Sequence, residues 1–183
     1  MKYMKLPLTS FESFYHSWLS KPFACRLNLL PENGTMLVAQ GENRIDLSKV
    51  KKPHKIIKTY HGGGTIVVFD DGITLFDINR DMRRPKWRES LVDLLEARGL
   101  HAENTGNDVT VDGYKIAGYA ETRMADTDYF QYGIHISMHV DVNEINHICQ
   151  KPMKKIPRGL ADFGLTREEV LKALEVEDAH GHT

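Results

Sequence analysis

The 183-residue sequence is poor in cysteine, has no long apolar run and carries almost no net charge. Its two cysteines, Cys25 and Cys149, are too few for a disulfide framework and fit a reducing compartment. No apolar run reaches the roughly 18 residues of a membrane span, and the first residues lack the apolar region of a signal peptide. A net charge of -1 gives no general reason for binding polyanions. We therefore expect a cytoplasmic protein without nucleic acid or membrane partners.

What the sequence does contain is the composition of an ordinary globular protein, with 41% hydrophobic and 27% charged residues. It shows no internal repeat, low-complexity tract or long linker. A chain of this length can build its own core without disulfides or metal ions. We expect one domain over residues 1–183, in which residues 176–183 form a frayed tail.

Strand-like patterns fill the middle of the chain, and helical patterns lie on either side of them. This arrangement predicts an α+β fold with mixed or antiparallel sheets and flanking helices. Asp112-Gly113 favours a tight turn, since glycine adopts positive φ without strain. The predicted strands are 25–30, 35–40, 56–60, 65–69 and 73–78, the hairpin 108–122 and the strand 129–140. Two predicted helices cover 84–98 and 141–149. Two more begin at the capping boxes formed by Thr9 with Glu12 and by Thr166 with Glu169.

His61-Gly62-Gly63-Gly64 stands between two predicted strands. Consecutive glycines cost conformational entropy, and an ordinary tight turn needs only one or two. One interpretation is a loop whose bare backbone approaches a ligand with its N–H groups. The other is a bulge or a wide loop without a ligand. A P-loop and a dinucleotide fingerprint are excluded, because the further glycines, the Lys-Ser/Thr pair and a following helix are absent.

Lys115 follows the predicted turn and precedes an apolar residue and two small ones, the second of which is Gly118. A lysine in this position can point into a cleft and bind a carboxylate, a phosphate or a developing oxyanion. The alternative is an exposed strand lysine, with Gly118 explained by close strand packing.

One cysteine, two histidines and a basic run are the remaining candidates. Cys149 is a nucleophile if a nearby cation stabilises its thiolate, and otherwise a buried packing residue. His135 and His139 share one face of the predicted strand 129–140, but no matching cysteines or carboxylates accompany them, so we predict no metal site. The basic run 151–158 is typical of a solvated surface, with docking of an acidic partner as the alternative.

Taken in order, three segments resemble the catalytic domain shared by biotin/lipoate protein ligases and lipoyl(octanoyl) transferases. The segment TYHGGGTIVVF at 59–69 is similar to the TYHGPGQ-type loop of the transferases and to the SGGGAV loop of the ligases. The segment NDVTVDGYKIAGYA at 107–120 resembles the lysine segment of both groups. The segment YGIHISMHVD at 132–141 resembles the strand that follows, with Gly133 retained. The resemblance covers residues 55–149, a little over half of the chain.

The resemblance implies a biotin/lipoate ligase-like fold and an enzyme that transfers a lipoyl or octanoyl group to a lysine of a lipoyl-type carrier domain. Lys115 would contact the acyl carbonyl or a phosphate. No tightly bound cofactor is implied. The implied ligand-binding residues are His61, Gly62, Gly63, Gly64, Asn107, Asp108, Gly118 and Gly133.

Two mechanisms are compatible with this resemblance. A transferase would take the acyl group from an acyl carrier protein as a thioester on Cys149, whose INHICQ segment loosely resembles the INPCG segment of the transferases. A ligase would activate free lipoate with ATP and would need no cysteine. His61 favours the transferases, whereas Asn107-Asp108 and the triple glycine favour the ligases.

The alternative to an enzyme is a non-catalytic binding or regulatory protein on the same scaffold. The family's arginine before the glycine loop is missing, since IIKTY offers only Lys58. Tyr132-Gly133 replaces the His-Gly pair of the transferases, and the proline and glycine of INPCG are absent. Such a protein would bind a ligand or a carrier domain without turnover.

Overall fold

The computed structural model shows two β-sheets with helices beside them, which confirms the predicted α+β class. The predicted helix after Thr9 and the predicted tail 176–183 lie outside the described residues. The structure describes residues 3–7, 25–30, 35–39, 43–50, 55–59, 64–69, 72–80, 82–123 and 130–175.

Among the described residues, the larger sheet contains seven strands. They are β1 (Tyr3–Pro7), β2 (Cys25–Leu30), β6 (Ile73–Asn79), β7 (Ala102–Thr105), β8 (Asp108–Val111), β9 (Tyr114–Arg123) and β10 (Phe130–Ile136). Their order in the sheet is β1-β2-β6-β10-β9-β8-β7. The β1–β2 pair is parallel and every other neighbouring pair is antiparallel, so the sheet is mixed, as predicted.

The smaller sheet consists of β3 (Thr35–Ala39), β4 (Lys55–Thr59) and β5 (Ile66–Val68). Strand β3 lies in the centre, parallel to β4 and antiparallel to β5. Residues 36–39 of β3 are all buried. A strand buried on both faces needs a continuous apolar run rather than an alternating one, which explains the pattern of this segment.

In the described part of the chain, three α-helices accompany the sheets: α1 (Trp87–Ala97), α2 (Val142–Ile148) and α3 (Arg167–Ala173). The predicted helix over 84–98 therefore begins just after Pro85 and stops before Gly99, whose φ of 75° suits a helix C-terminus. The predicted capping box of α3 is present, since the Thr166 side chain accepts from the Glu169 amide and the Glu169 carboxylate accepts from the Thr166 amide. None of the described helices is long and apolar enough to cross a membrane.

One face of the larger sheet, here called the helix face, packs against α1 and α3 and holds the main core. Leu91 of α1 is completely buried, and Trp87 places its ring 6.0 Å from that of Tyr132, which lies 5.9 Å from Tyr119. The sheet residues of the helix face include Ile73, Leu75, Ala117, Tyr119, Tyr132, Ile134 and Ile136.

The predicted strand over 129–140 is shorter in the structure, because β10 ends at Ile136. All of its residues are buried, since β6 and β9 flank β10 and both faces are covered along its length. Beyond it, the carbonyl of Ser137 accepts a 2.9 Å hydrogen bond from the amide of Leu160, which directs the chain away from β6. His135, on the face of this strand that it was predicted to share with His139, is therefore buried, with 8% of its surface exposed.

Candidate functional site

The second face of the larger sheet carries small side chains along β9. Gly118, Ala120 and Thr122 lie at alternate positions of this strand, and we call them the small-residue strip. They are half-buried, whereas the β10 residues paired with them, which include Gly133 and His135, are buried. The strip is thus a shallow floor beside a closed part of the sheet.

A β-bulge at Ile116 decides which face of the sheet Lys115 occupies. Val109 of β8 pairs with Ala117, but the next residue, Thr110, pairs with Lys115, so Ile116 is the extra residue of β9. Ile116 and Ala117 both pack into the core. Strict alternation would have placed Lys115 on the helix face beside Ala117. The bulge re-aims Lys115 toward the small-residue strip, a common use of bulges beside functional sites.

The β8–β9 hairpin brings three of the predicted site residues together. The Nζ atom of Lys115 lies 2.7 Å from Oδ1 of Asp108. The Nζ and Cε atoms of Lys115 each lie 3.2 Å from the place that a Cβ would take at Gly118. Glycine at this position therefore lets the lysine side chain cross the first residue of the strip.

The turn between β8 and β9 has the predicted Asp-Gly form. Both of its central residues adopt positive φ, 49° at Asp112 and 82° at Gly113, which matches the twist of an antiparallel hairpin. The turn fixes the pairing of β8 with the start of β9, and hence the distance between Asp108 and Lys115.

A second lysine, Lys155, shares the carboxylate of Asp108. Its Nζ atom lies 3.1 Å from Oδ2 of Asp108 and 2.6 Å from Oγ1 of Thr105. Thr105 is the pairing partner of Asp108 across the β7–β8 hairpin. The prediction that residues 151–158 form only a solvated surface is wrong for Lys155, because this side chain takes part in the polar cluster.

The backbone at Lys115 holds this second lysine in place. The amide of Lys115 donates to the carbonyl of Ile156 at 2.9 Å, and the amide of Arg158 donates to the carbonyl of Lys115 at 2.8 Å. Pro157 lies between these two bonds, where its missing N–H removes no hydrogen bond. Pro157 is a sequence signal for an extended segment here, since the residue before a proline favours extended backbone.

The electrostatics of the cluster favour an ionised carboxylate between two cations. Partial burial raises the pKa of Asp108, but the hydrogen bonds and positive charges of Lys115 and Lys155 outweigh this effect and hold the pKa below its usual range. Two ammonium groups against one carboxylate leave the cluster with a net positive charge at neutral pH. An anionic ligand would be attracted to it.

The smaller sheet meets the second face at Gly72. A Cβ at Gly72 would lie 3.2 Å from Cγ1 of Val68 on β5 and 3.4 Å from Cε1 of His135 on β10. Gly64, the last residue of the glycine loop and its only described one, is half-buried and leads into β5. His61, Gly62 and Gly63 lie outside the described residues, so their contact with a ligand stays a prediction.

Asn107 occupies the exposed turn between β7 and β8. Its carbonyl accepts a 2.9 Å hydrogen bond from the amide of Tyr119, and the Tyr119 hydroxyl donates to the carbonyl of Gly106. These bonds fasten the turn to β9 and place Asn107 next to Asp108. A role of the Asn107 side chain in ligand binding stays a prediction.

Solved structures with this architecture include lipoate and biotin protein ligases, although no family model and no curated protein matches the chain by sequence. A bi-partite lipoate protein ligase of Thermoplasma acidophilum, described with its E2 lipoyl domain, superposes with a TM-score of 0.71 at 17% identity, over 95% of this chain and 80% of that one. A lipoate-protein ligase A bound with ATP superposes with a TM-score of 0.68 at 18% identity, over 94% of this chain and 80% of that one. A mutant biotin protein ligase of Aquifex aeolicus in complex with biotin superposes with a TM-score of 0.52 at 15% identity, over 96% of this chain and 67% of that one. The chain has the lipoate and biotin protein ligase fold. The predicted ligase-like catalytic-domain fold is thereby confirmed.

Within the ligase fold, Gly133 has a packing role. A Cβ at Gly133 would lie 2.9 Å from two carbons of the Phe76 ring, so only glycine lets this ring cross β10. Gly133 also pairs with Ala120 of the small-residue strip. The contact of Gly133 with a ligand, which the resemblance implied, stays a prediction.

The two histidines considered as metal ligands lie in different surroundings. His135 is buried, and its Nδ1 atom lies 2.8 Å from Oγ1 of Thr74. His139 is exposed and lies beyond the end of β10. In the part of the chain that the structure describes, no group of three histidine, cysteine or acidic side chains could hold a metal ion.

Cys149 directly follows α2. It is half-buried, its amide donates to the carbonyl of Ile145 at 3.1 Å, and it forms an isolated antiparallel bridge with Ile45. The preceding residue, Ile148, packs against β3. Lys115, in contrast, belongs to the larger sheet. A nucleophilic role of Cys149 stays a prediction.

Proposed function

We propose that this protein is an ATP-dependent lipoate-protein ligase, which joins free lipoate to a lysine of a lipoyl-type carrier domain. The observation that carries the proposal is the ammonium of Lys115, held 2.7 Å from Asp108 above the first residue of the small-residue strip. Solved structures of the same fold support the choice of ligands, since one ligase is bound with ATP and another is described with its lipoyl domain.

The small-residue strip offers a place for the acyl chain. Gly118, Ala120 and Thr122 together span roughly 13 Å, because alternate residues of a strand advance by nearly 7 Å. Bulky side chains would fill this space, as they do on the helix face. A narrow, flexible acyl chain can lie along the strip with its carboxyl group at the Lys115 end.

The chemistry requires a cation at that end. In the first step a carboxylate oxygen of lipoate attacks the α-phosphorus of ATP, and pyrophosphate leaves. In the second step the amine of the carrier lysine attacks the acyl carbonyl, AMP leaves and the nitrogen releases a proton. Negative charge develops on oxygen atoms in both steps, and the ammonium of Lys115 would stabilise it. Asp108 would hold that ammonium beside the strip until a ligand binds.

The competing enzyme is an octanoyl transferase that takes its acyl group from an acyl carrier protein through a thioester on Cys149. A non-catalytic binding protein is the competing non-enzyme, and its support is the absence of the arginine before the glycine loop, where only the exposed Lys58 stands. Both alternatives predict results that differ from those of a ligase.

The test incubates the protein with an apo lipoyl domain and either lipoate with ATP or an octanoylated acyl carrier protein. Mass spectrometry of the lipoyl domain is the measurement. We expect a lipoyl adduct only when lipoate and ATP are both present. An octanoyl adduct that forms without ATP and disappears in Cys149→Ser would establish the transferase. Lipoate binding by calorimetry without any adduct would establish the binding protein.

The Lys115→Met variant tests the central residue. We expect the rate of lipoyl transfer to fall by about 10²–10³-fold, the usual effect of removing a group that stabilises developing negative charge. The midpoint of thermal unfolding should stay the same, because the Lys115 ammonium is partly solvated. Lys172→Met, at an exposed position of α3, is the matched control and should keep full activity. Equal rates for wild type and Lys115→Met would contradict the proposal.

A further inference from the structure

The carboxylate of Asp108 is surrounded by more positive charge than is needed to neutralise it. Each carboxylate oxygen has its own ammonium, Lys115 on Oδ1 at 2.7 Å and Lys155 on Oδ2 at 3.1 Å. Thr105 accepts a further 2.6 Å hydrogen bond from Lys155. Neither sequence pattern nor the resemblance to the ligases singled out Lys155.

A lysine paired with one carboxylate would offer little charge to a ligand, because the pair is neutral. With the second lysine present, the three groups together carry a charge of +1. Asp108 is also the least exposed of the three, with 21% of its side chain accessible against 41% for Lys115 and 33% for Lys155. A poorly solvated carboxylate left without a cation is costly.

These facts give the two lysines different tasks. Lys115 lies beside the small-residue strip and has the greater exposure, so its flexible side chain can turn toward a bound anion. Lys155 is fastened to Thr105 and is carried by the segment that bonds to the backbone of Lys115 on both sides of Pro157. It can therefore stay with Asp108 when Lys115 leaves.

We propose that Lys155 is a positioning residue: it remains paired with Asp108 and thereby allows Lys115 to leave this carboxylate for the substrate. The inference rests on the proposed function. Without the ammonium of Lys155, the departure of Lys115 would leave Asp108 without a cation, and Lys115 would stay bound to it.

The first test replaces Lys155 in the lipoyl-transfer assay. Lys155→Met keeps the length of the side chain without its charge, and we expect kcat to fall by about tenfold, the scale of coupling between neighbouring charged groups. KM for the lipoyl domain should not change. Lys155→Arg should recover most of the activity, because it restores a cation beside Asp108. Lys154→Met, at the exposed neighbouring position, is the matched control and should behave as wild type.

A double-mutant cycle separates positioning from a general structural effect. In the Asp108→Asn background no carboxylate holds Lys115, so Lys155→Met should cause less than a twofold further change. If Lys155→Met costs the same tenfold there as in wild type, Lys155 acts independently of Asp108 and the proposal is wrong. Wild-type activity of the single Lys155→Met variant would also overturn it.

A measurement without turnover keeps this inference separate from the proposed function. Acetic anhydride modifies unprotonated lysines, and the extent of reaction at Lys115 can be followed by peptide mass spectrometry. We expect Lys115 to react several times more slowly in Lys155→Met than in wild type or Lys154→Met, because Asp108 then holds it alone. An unchanged reaction rate would overturn the inference. Absence of lipoyl transfer by the wild type would instead refute the proposed function.

Discussion

The two faces of the larger sheet are formed by the same strands but differ in what they contribute. On the helix face, Leu75 and Ile134 are buried in the core that also contains Leu91 of α1, and each buried aliphatic side chain contributes about 1.5–3 kcal/mol to stability. On the other face, the small-residue strip is half-exposed and contributes little burial. Along β9, burial therefore comes mainly from the helix face, and this allows the other face to carry small, partly exposed side chains beside a charged cluster.

A strand permits this division because its side chains alternate between faces. Along β9, Tyr119 stacks in the core on Tyr132, while its neighbours Gly118 and Ala120 belong to the small-residue strip. Substitutions on the helix face should therefore change stability without changing chemistry, and substitutions at the strip should do the reverse.

The largest expected effect on stability lies in the middle of the helix face. Leu91→Ala should lower the free energy of unfolding by about 3 kcal/mol, because it leaves a cavity in a fully buried part of the core. Urea denaturation followed by circular dichroism measures this change. Lipoyl transfer by the folded variant should stay within twofold of wild type. Loss of activity without loss of stability would show that the two faces are not separate in function.

A smaller effect is expected from Gly118→Ala at the strip. The new Cβ would lie 3.2 Å from Cε and Nζ of Lys115, and the flexible lysine would move aside. We expect lipoyl transfer to fall by about tenfold, or 1.4 kcal/mol in activation free energy. The unfolding midpoint should change little.

Gly133→Ala is the contrasting control for this substitution. Its Cβ would lie 2.9 Å from the buried ring of Phe76, so overpacking should cost about 1–3 kcal/mol of stability. Retained stability in Gly133→Ala together with unfolding of Gly118→Ala would reverse the assignment of the two glycines.

The smallest effect concerns acid stability. Because the folded-state pKa of Asp108 is lowered, this group stabilises the fold above its unfolded pKa of about 3.9, and the contribution is lost as pH falls through the lower folded value. For a partly solvated cluster the contribution at neutral pH should be below about 1 kcal/mol. Wild type should therefore be slightly more stable than Asp108→Asn at pH 7, and the difference should shrink toward pH 3. A difference that is the same at both pH values would contradict this assignment.

Features coded by neighbouring residues could be predicted from the sequence. The Asp112-Gly113 turn and the capping box of α3 depend on contacts within four residues, and both are present as predicted. The strands on either side of the glycine loop were also predicted to within two residues, because their apolar runs are short and bounded.

Features that depend on distant partners were missed. Strand β7 has the polar sequence AENT and forms only because β8 offers it a partner at the sheet edge. The end of β10 at Ile136 reflects the path of the chain toward Leu160 rather than a change in local composition. The pairing of Lys155 with Asp108 joins residues 47 positions apart.

The sequence by itself determined the fold class, the principal turns and caps, and the likeness to the lipoate and biotin ligases, because these depend on local residue patterns. Only the tertiary structure decided what Lys115 does. The bulge at Ile116 moves this lysine from the helix face to the small-residue strip, and a bulge is a matter of strand register. Register depends on how β8 and β9 pack with the rest of the sheet. The same packing brings Lys155 to the second oxygen of Asp108.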